Sequence, residues 1–367
     1  AGTIDANDGS VSIISTGTSG LGGTVSLVDI DATGDNQVVG VSTSAVAGLQ
    51  FVSIQVRGLG DVTVAGIDAT GTAVDPNTQT SNVEIISDTG NVLLGDVDAV
   101  NTVFVQAASG TITDNNAGST NVMATKLDAR AQDLVGDAAD SVLNNPGATG
   151  FDALETAVGD ISAVTTGANA DVAIDNVGAV TVSNIEPSAG QPAALWIRST
   201  DSITVTALAG LGSAAENDSV ALIATSGNVT LPDSGDAATT GAADIETTGT
   251  VRLEAAAGQV AVSGGTIFAV MAGDVLLKAQ NAQTIATAIT NLDATVTGSG
   301  NALTIQEAAT AAGLTLTDLD GDNSSIQTNG GDIAVTVNDT DSNLVVDGSV
   351  TPGTDPNFIV DARGADI

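Results

Sequence analysis

The sequence predicts an all-β protein: a right-handed parallel β-helix, with coils of about 20–30 residues and three strand faces per coil. Three observations predict it. The first is a phrase said twice between residues 82 and 112, NVEIISDTGNVLLGDVDAVNTVFVQAASGTI. Val83 to Val103, Gly90 to Gly110 and Val92 to Ile112 are three identical steps along the chain, each equal to 103 − 83 = 20. The second is strict alternation of apolar and polar residues within each phrase, the period of a half-buried strand. The third is composition. The chain has 367 residues with 43 Gly, no Cys, His or Tyr and only 2% aromatics, while its hydrophobic fraction is 42%. An irregular interior between layers is filled with large rings. An interior made of stacked, uniform rows takes Val, Ile, Leu and Ala instead.

Taken in order, residues 1–69 carry strand phrases at Val11-x-Ile13, Val25-x-Leu27 and Val62-x-Val64, separated by Gly, Asp, Asn and Ser clusters that read as turns. The two clear coils follow. Residues 113–160 are looser, and the run TNVMATKLDARAQDLVGDAADSVL reads as a short helix or a widened coil. Alternation resumes at Val172-x-Ile174 and Val180-x-Val182. Both pairs return at Leu195-x-Ile197 and Ile203-x-Val205, at one shared shift of 195 − 172 = 23. Leu314-x-Leu316 and Ile333-x-Val335 stand 19 apart and read as a further coil step, with surplus residues falling in polar turns.

A longer repeat overlies the coils. Val122-Met123-Ala124 matches Val270-Met271-Ala272 at a shift of 270 − 122 = 148, and Val103, Gly110 and Ile112 match Val251, Gly258 and Val260 at the same shift. Residues 156–174 match 287–305 at 131, 82–94 match 219–231 at 137, and Val56-Arg57 matches Ile197-Arg198 at 141. Shifts that change while strands stay aligned indicate a duplicated block of roughly 140 residues, present about two and a half times, whose turns have grown and shrunk. With no linker or composition break, residues 1–367 read as one continuous domain. Lys126 and Lys278, close to Met123 and Met271, read as equivalent solvated positions of the repeat.

The runs SGTITDNNAGSTNVMATKLDARAQDLVGD and FDALETAVGDISAVTTGANADVAIDNVGAVTVSNI follow the order of a G-x-I-x-D strand, a strand like A-x-x-L-x-L-x-A and a strand like L-x-T-x-V-x-x-L-x-A. In this the chain resembles the repeats of filamentous-haemagglutinin-like giant bacterial exoproteins. The resemblance covers residues 103–185 and 251–319 best. It implies a β-helical fibre at the bacterial surface or secreted from it, in many cases an adhesin. The amino-terminal secretion module of that family is not found in this sequence. The first residues, AGTIDANDGS, lack the basic and apolar regions of a signal peptide.

The missing residue types exclude much chemistry. Without His or Cys there is no Ser-His-Asp or Cys-His site and no zinc site of the usual kind. The enzymatic reading that remains is a carbohydrate-active β-helix, built on paired acids or on a Lys or Arg base. Against it, only Trp196 and five Phe are available to stack on sugar rings, and the cations are scattered. The net charge of −37, from 44 acids against 7 bases, repels phosphates and excludes nucleic acid as a partner. No apolar run is long enough to cross a bilayer as a helix, so no membrane span is read.

The acids themselves offer candidate ligands. Asp318, Asp320 and Asp322 alternate around Gly321, and Asp29, Asp31 and Asp35 form a similar cluster, as do Asp96 and Asp98. Closely spaced Asp at a turn supplies several of the six to eight oxygens Ca²⁺ takes. Solvated turn carboxylates, bonding nearby backbone amides, are the competing reading. No Glu completes an EF-hand after Asp318. Trp196, between inward Leu195 and Ile197, is expected to project outward and cover a neighbouring loop, or to mark a contact with another chain or a glycan.

The functional expectation is therefore a non-catalytic, extracellular structural fibre segment, end to end with neighbouring repeats or other copies of itself and contacting a host, surface or matrix ligand. A subunit that polymerises into a filament or sheath is the alternative of the same kind.

Overall fold

The structure is a computed structural model. It describes residues 4–5, 11–15, 30–32, 37–43, 53–58, 60–69, 82–137, 152–167, 170–186, 194–206, 219–232, 245–263, 267–307, 313–337, 344–352 and 357–362. These form thirty strands and no helix, and every strand pairing whose register is described is parallel. A parallel pair needs a crossover, and here the rest of a coil supplies it: the fold is a parallel β-helix. Packing divides the chain into two compact units, residues 1–138 with 150–178, and residues 139–149 with 179–367.

The first unit holds β1 (Ile4–Asp5), β2 (Val11–Ser15), β3 (Ile30–Ala32), β4 (Gln37–Thr43), β5 (Ser53–Gly58), β6 (Val62–Ala69), β7 (Asn82–Ser87), β8 (Val92–Ala99), β9 (Thr102–Ala107), β10 (Ile112–Asp114), β11 (Val122–Ala131), β12 (Leu154–Thr165) and β13 (Val172–Asn176). Three faces are visible in its register. On the first, Val83 stands beside Val103, Val103 beside Leu127 and Leu127 beside Ile161. On the second, Val62, Val92, Ile112, Val135 and Val172 follow one another. On the third, Ile67, Val97, Val122, Thr156 and Asn176 do so. The equal steps from Val83 to Val103 and from Val92 to Ile112 are thus coil steps. The looser region from residue 113 is a widened coil wherever it is described, with no helix in it. Each aliphatic side chain named in these three rows is buried, and each contributes about 1.5–3 kcal/mol by leaving water.

Long strands turn corners at glycine. β8 passes from the second face to the third at Gly95, where an added Cβ would stand 2.5 Å from the Ala65 carbonyl oxygen and 2.6 Å from that of Val64. The coil below leaves no room for a side chain at that corner.

The second unit holds β14 (Val180–Glu186), β15 (Ala194–Ser199), β16 (Ile203–Val205), β17 (Ser219–Ala224), β18 (Val229–Leu231), β19 (Ile245–Glu246), β20 (Thr250–Ala255), β21 (Val260–Val262), β22 (Ile267–Ala279), β23 (Gln283–Ser299), β24 (Leu303–Glu307), β25 (Leu314–Thr317), β26 (Ile326–Asn329), β27 (Ile333–Val337), β28 (Leu344–Asp347), β29 (Val350–Thr351) and β30 (Phe358–Ala362). Its early coils repeat the internal pairing of the first unit. Val56 opposite Ile85 becomes Ile197 opposite Leu222, and Val92 opposite Ile112 becomes Val229 opposite Val260. Val122 opposite Thr156 becomes Val270 opposite Thr287, and Thr156 opposite Asn176 becomes Thr287 opposite Glu307. Over their described residues, the matched blocks 156–174 and 287–305 therefore keep the same strand pairing. The step from Val180 to Ile203 is also a true coil step.

Two expectations are corrected and a third, the outward Trp196, is made more definite. Leu314 and Ile333 do not stack. Leu314 lies beside Leu344 and Ile333 beside Leu303, so the spacing between them joins two different faces. Lys126 and Lys278 are not equivalent. The register equates Lys126, between Thr102 and Asp160, with Asp274, between Thr250 and Asn291; Arg130 is the counterpart of Lys278. Trp196 lies between the inward residues of β15, yet it is only 1% exposed, with the Arg198 guanidinium carbon 5.4 Å from its ring centroid. Ala221, its neighbour in register, is buried as well. Trp196 thus belongs to a covered outer layer on this face.

Candidate metal centre

On β23 the inward residues Leu292 and Ala294 flank Asp293, which points to the outer side of the same face. An outward carboxylate on a β-helix normally meets water. Here the neighbouring ladder is interrupted above it. Leu292 pairs with Leu316 and Ala294 with Ile326, so residues 317–325 leave the stack between two adjacent rungs. The loop closes over Asp293, leaving it 1% exposed.

The backbone amides of Leu319 and Asp320 donate to Asp293 Oδ2 at 2.9 and 3.3 Å. Asp293 Oδ1 is buried and has no hydrogen-bond partner. Thr295 Oγ1, two positions along the same side of β23, is buried in the same condition. Burial pushes the Asp293 carboxyl up to about 7, against the pull of the Leu319 amide, and the charges of Asp320 and Asp322 push it the same way.

The loop acids are organised by their own turn. Asp318 accepts the amides of Gly321 at 2.7 Å and Asn323 at 2.9 Å, one on each carboxylate oxygen. Asp320 Oδ1 accepts the Asp322 amide at 3.0 Å, and its other oxygen is paired with the Lys278 ammonium. Burial works against ionisation of Asp320, but Lys278 and the Asp322 amide outweigh it and hold the carboxyl below its usual range. Asp322 Oδ1 takes both the amide and the hydroxyl of Ser324, at 2.8 and 2.7 Å. Gly321 and Asn323 adopt φ of +80° and +69°, which the tight turn requires.

Of the sequence-chosen ligands, Asp318 and Asp320 converge, and Asp293 joins them. One carboxylate oxygen from each lies within 4.8 Å of the others. Asp322 instead caps the turn. Asp31 lies on β3, in register with Asp5 and Arg57; Asp29 and Asp35 fall outside the described residues. Asp96 accepts the Asn116 side-chain amide at 2.8 Å. Asp293 carries no local sequence signal. It sits alone among Asn, Leu, Ala and Thr, about one coil before its partners, and only the strand register brings them together.

A second acidic neighbourhood lies in the first unit. Glu155 Oε2 is buried without a partner, and burial pushes its carboxyl up to about 7, with Asp114, Asp152 and Asp175 adding to the shift. No protein-family model, no curated protein and no solved structure matches this chain.

Proposed function

We propose that the chain is a non-catalytic structural segment of an extracellular fibre, part of a large bacterial surface or secreted adhesin-like protein. The supporting observation is that both units keep one internal register while the connections between strands vary in length. What the duplication has retained is the stack itself. The acidic exterior and the resemblance of residues 103–185 and 251–319 to filamentous-haemagglutinin-like repeats support the same reading. Among the described residues no helix is long and apolar enough to cross a membrane. Antibodies raised against the chain should label intact producing cells or their shed material, and beads coated with it should adhere to host cells or matrix. Labelling only after lysis would remove the extracellular assignment. Surface labelling without adhesion would leave a fibre that is not an adhesin.

One feature supports end-to-end association as a second reading. Val345 and Val346 on β28, and Phe358 and Ile359 on β30, are 40–54% exposed. Among the described residues, β30 is paired on one edge only, with β27. Such an edge offers a place for a further layer of strands from neighbouring repeats or from a second copy. Electron microscopy across protein concentration separates the cases: filaments support self-assembly, and a monomer at every concentration excludes it for this chain.

A further inference from the structure

We propose that Asp293, Asp318 and Asp320 bind a divalent cation of calcium chemistry beneath the loop 317–325. Three carboxylate oxygens, one from each residue, already stand within 4.8 Å of one another. Ligands on opposite sides of a Ca²⁺ ion with bonds of about 2.4 Å are about 4.8 Å apart, so a single ion spans the cluster.

The independent observation is the buried, partnerless Asp293 Oδ1. A carboxylate oxygen in that condition is costly unless something positive meets it. Lys278, in register with Thr295 on the neighbouring strand, is engaged with Asp320 instead. Thr295 Oγ1, also without a partner, lies on the same outward side.

The second unit's duplicate history strengthens the inference. The position matching Asp293 in the first unit is Ser162, at 293 − 131, and β12 keeps the same register with serine there. Building the coil does not call for an aspartate at this point. Asp293 is present in one copy only, and its partners come from the loop 317–325 above it.

The geometry also says what opposes the ion. The Lys278 ammonium neutralises Asp320, so a bound cation competes with it for that carboxylate. A purely structural clamp makes the opposite demand, because in a clamp Lys278 only helps.

The test is calorimetric titration of CaCl₂ into the EDTA-treated full chain at fixed ionic strength, with far-UV circular dichroism of each variant. The wild type is expected to show one saturable site above the diffuse background of its other acids. Asp293→Asn and Asp318→Asn should each weaken that site at least about tenfold through loss of ligand charge. Lys278→Met should tighten it. If Asp293→Asn does not fold, Asp318→Asn, in an exposed turn, decides. Absence of a saturable site in the wild type overturns the proposal. So does calcium heat that the Asp variants leave unchanged, or a Lys278→Met variant that binds no more tightly.

Discussion

At the scale of single residues, one buried polar row recurs in both units among the described residues. Thr156 donates its hydroxyl to Asn176 Oδ1 at 2.8 Å, and the Val158 amide donates to the same oxygen at 2.9 Å. The matching pair in the second unit is Thr287 donating to Glu307. All four side chains are fully buried. Their pairing answers the general requirement that buried polar groups be satisfied. Glu155 in the first unit departs from that requirement and gives a pH prediction. Its folded carboxyl titrates at about 7, against 4.5 for an ordinary glutamate, chiefly because the half-buried side chain is partly stripped of water. The folded chain therefore holds that proton more tightly than the unfolded chain. The contribution to stability is complete below pH 4.5 and is lost as pH rises through 7. Glu155→Gln, neutral throughout, should match the wild type at pH 4 and melt at a higher temperature at pH 8. Thermal melts at the two pH values check this; equal melting at pH 8 contradicts it. Residue-scale chemistry was only half legible in the sequence. Asp318 and Asp320 announce themselves by spacing. Asp293 and Glu155 do not, because their character comes from what covers them.

At the scale of strands, alternation locates elements such as β7, β8, β9, β13, β14, β15 and β16, since each coil puts one side of each strand inside, while Val25-x-Leu27 lies outside the described residues. Pairing partners are harder to read. Equal coils pair Val83 with Val103, whereas Leu314 and Ile333 share a pattern but not a face. Periodicity identifies an inward side chain; it does not say which of three faces that side chain lines. Corners are specified more locally. Gly95→Ala should lower stability by about 1–3 kcal/mol, since the new methyl meets backbone that has nowhere to move. Gly159, at the corner of β12, has its nearest obstacle, the Thr125 carbonyl oxygen, at 3.4 Å, and Gly159→Ala should stay within about 0.5 kcal/mol. Urea denaturation of the two variants measures the difference. Similar losses for both would mean that corner glycines serve chain flexibility rather than close approach.

At the scale of the molecule, a stack of coils tolerates loss of a whole coil better than loss of part of one. Deleting residues 83–102 joins Asn82 to Val103 and brings β5 onto β9 in the register β7 now occupies. The shortened chain should remain β-rich and unfold cooperatively. Deleting residues 92–101, about half as many, removes the second-face and third-face strand of one coil while leaving both first-face strands, and should unfold or aggregate. Circular dichroism and gel filtration of the two deletions distinguish them. If both fold equally well, the coil is not the unit of construction.

The buried Trp196 also decides what light can report. It is the only tryptophan in a chain without tyrosine, and it belongs to the second unit. Emission excited at the red edge of protein absorption therefore comes from one half of the molecule, whereas ellipticity sums over every strand. Register carries the row from Trp196 through Ala221, Arg252 and Leu276 to Asp293. Four strand spacings of ~4.8 Å separate the indole from that carboxylate, about 19 Å along the stack. Emission and ellipticity curves recorded on one sample become, without any label, a comparison of one half with the whole.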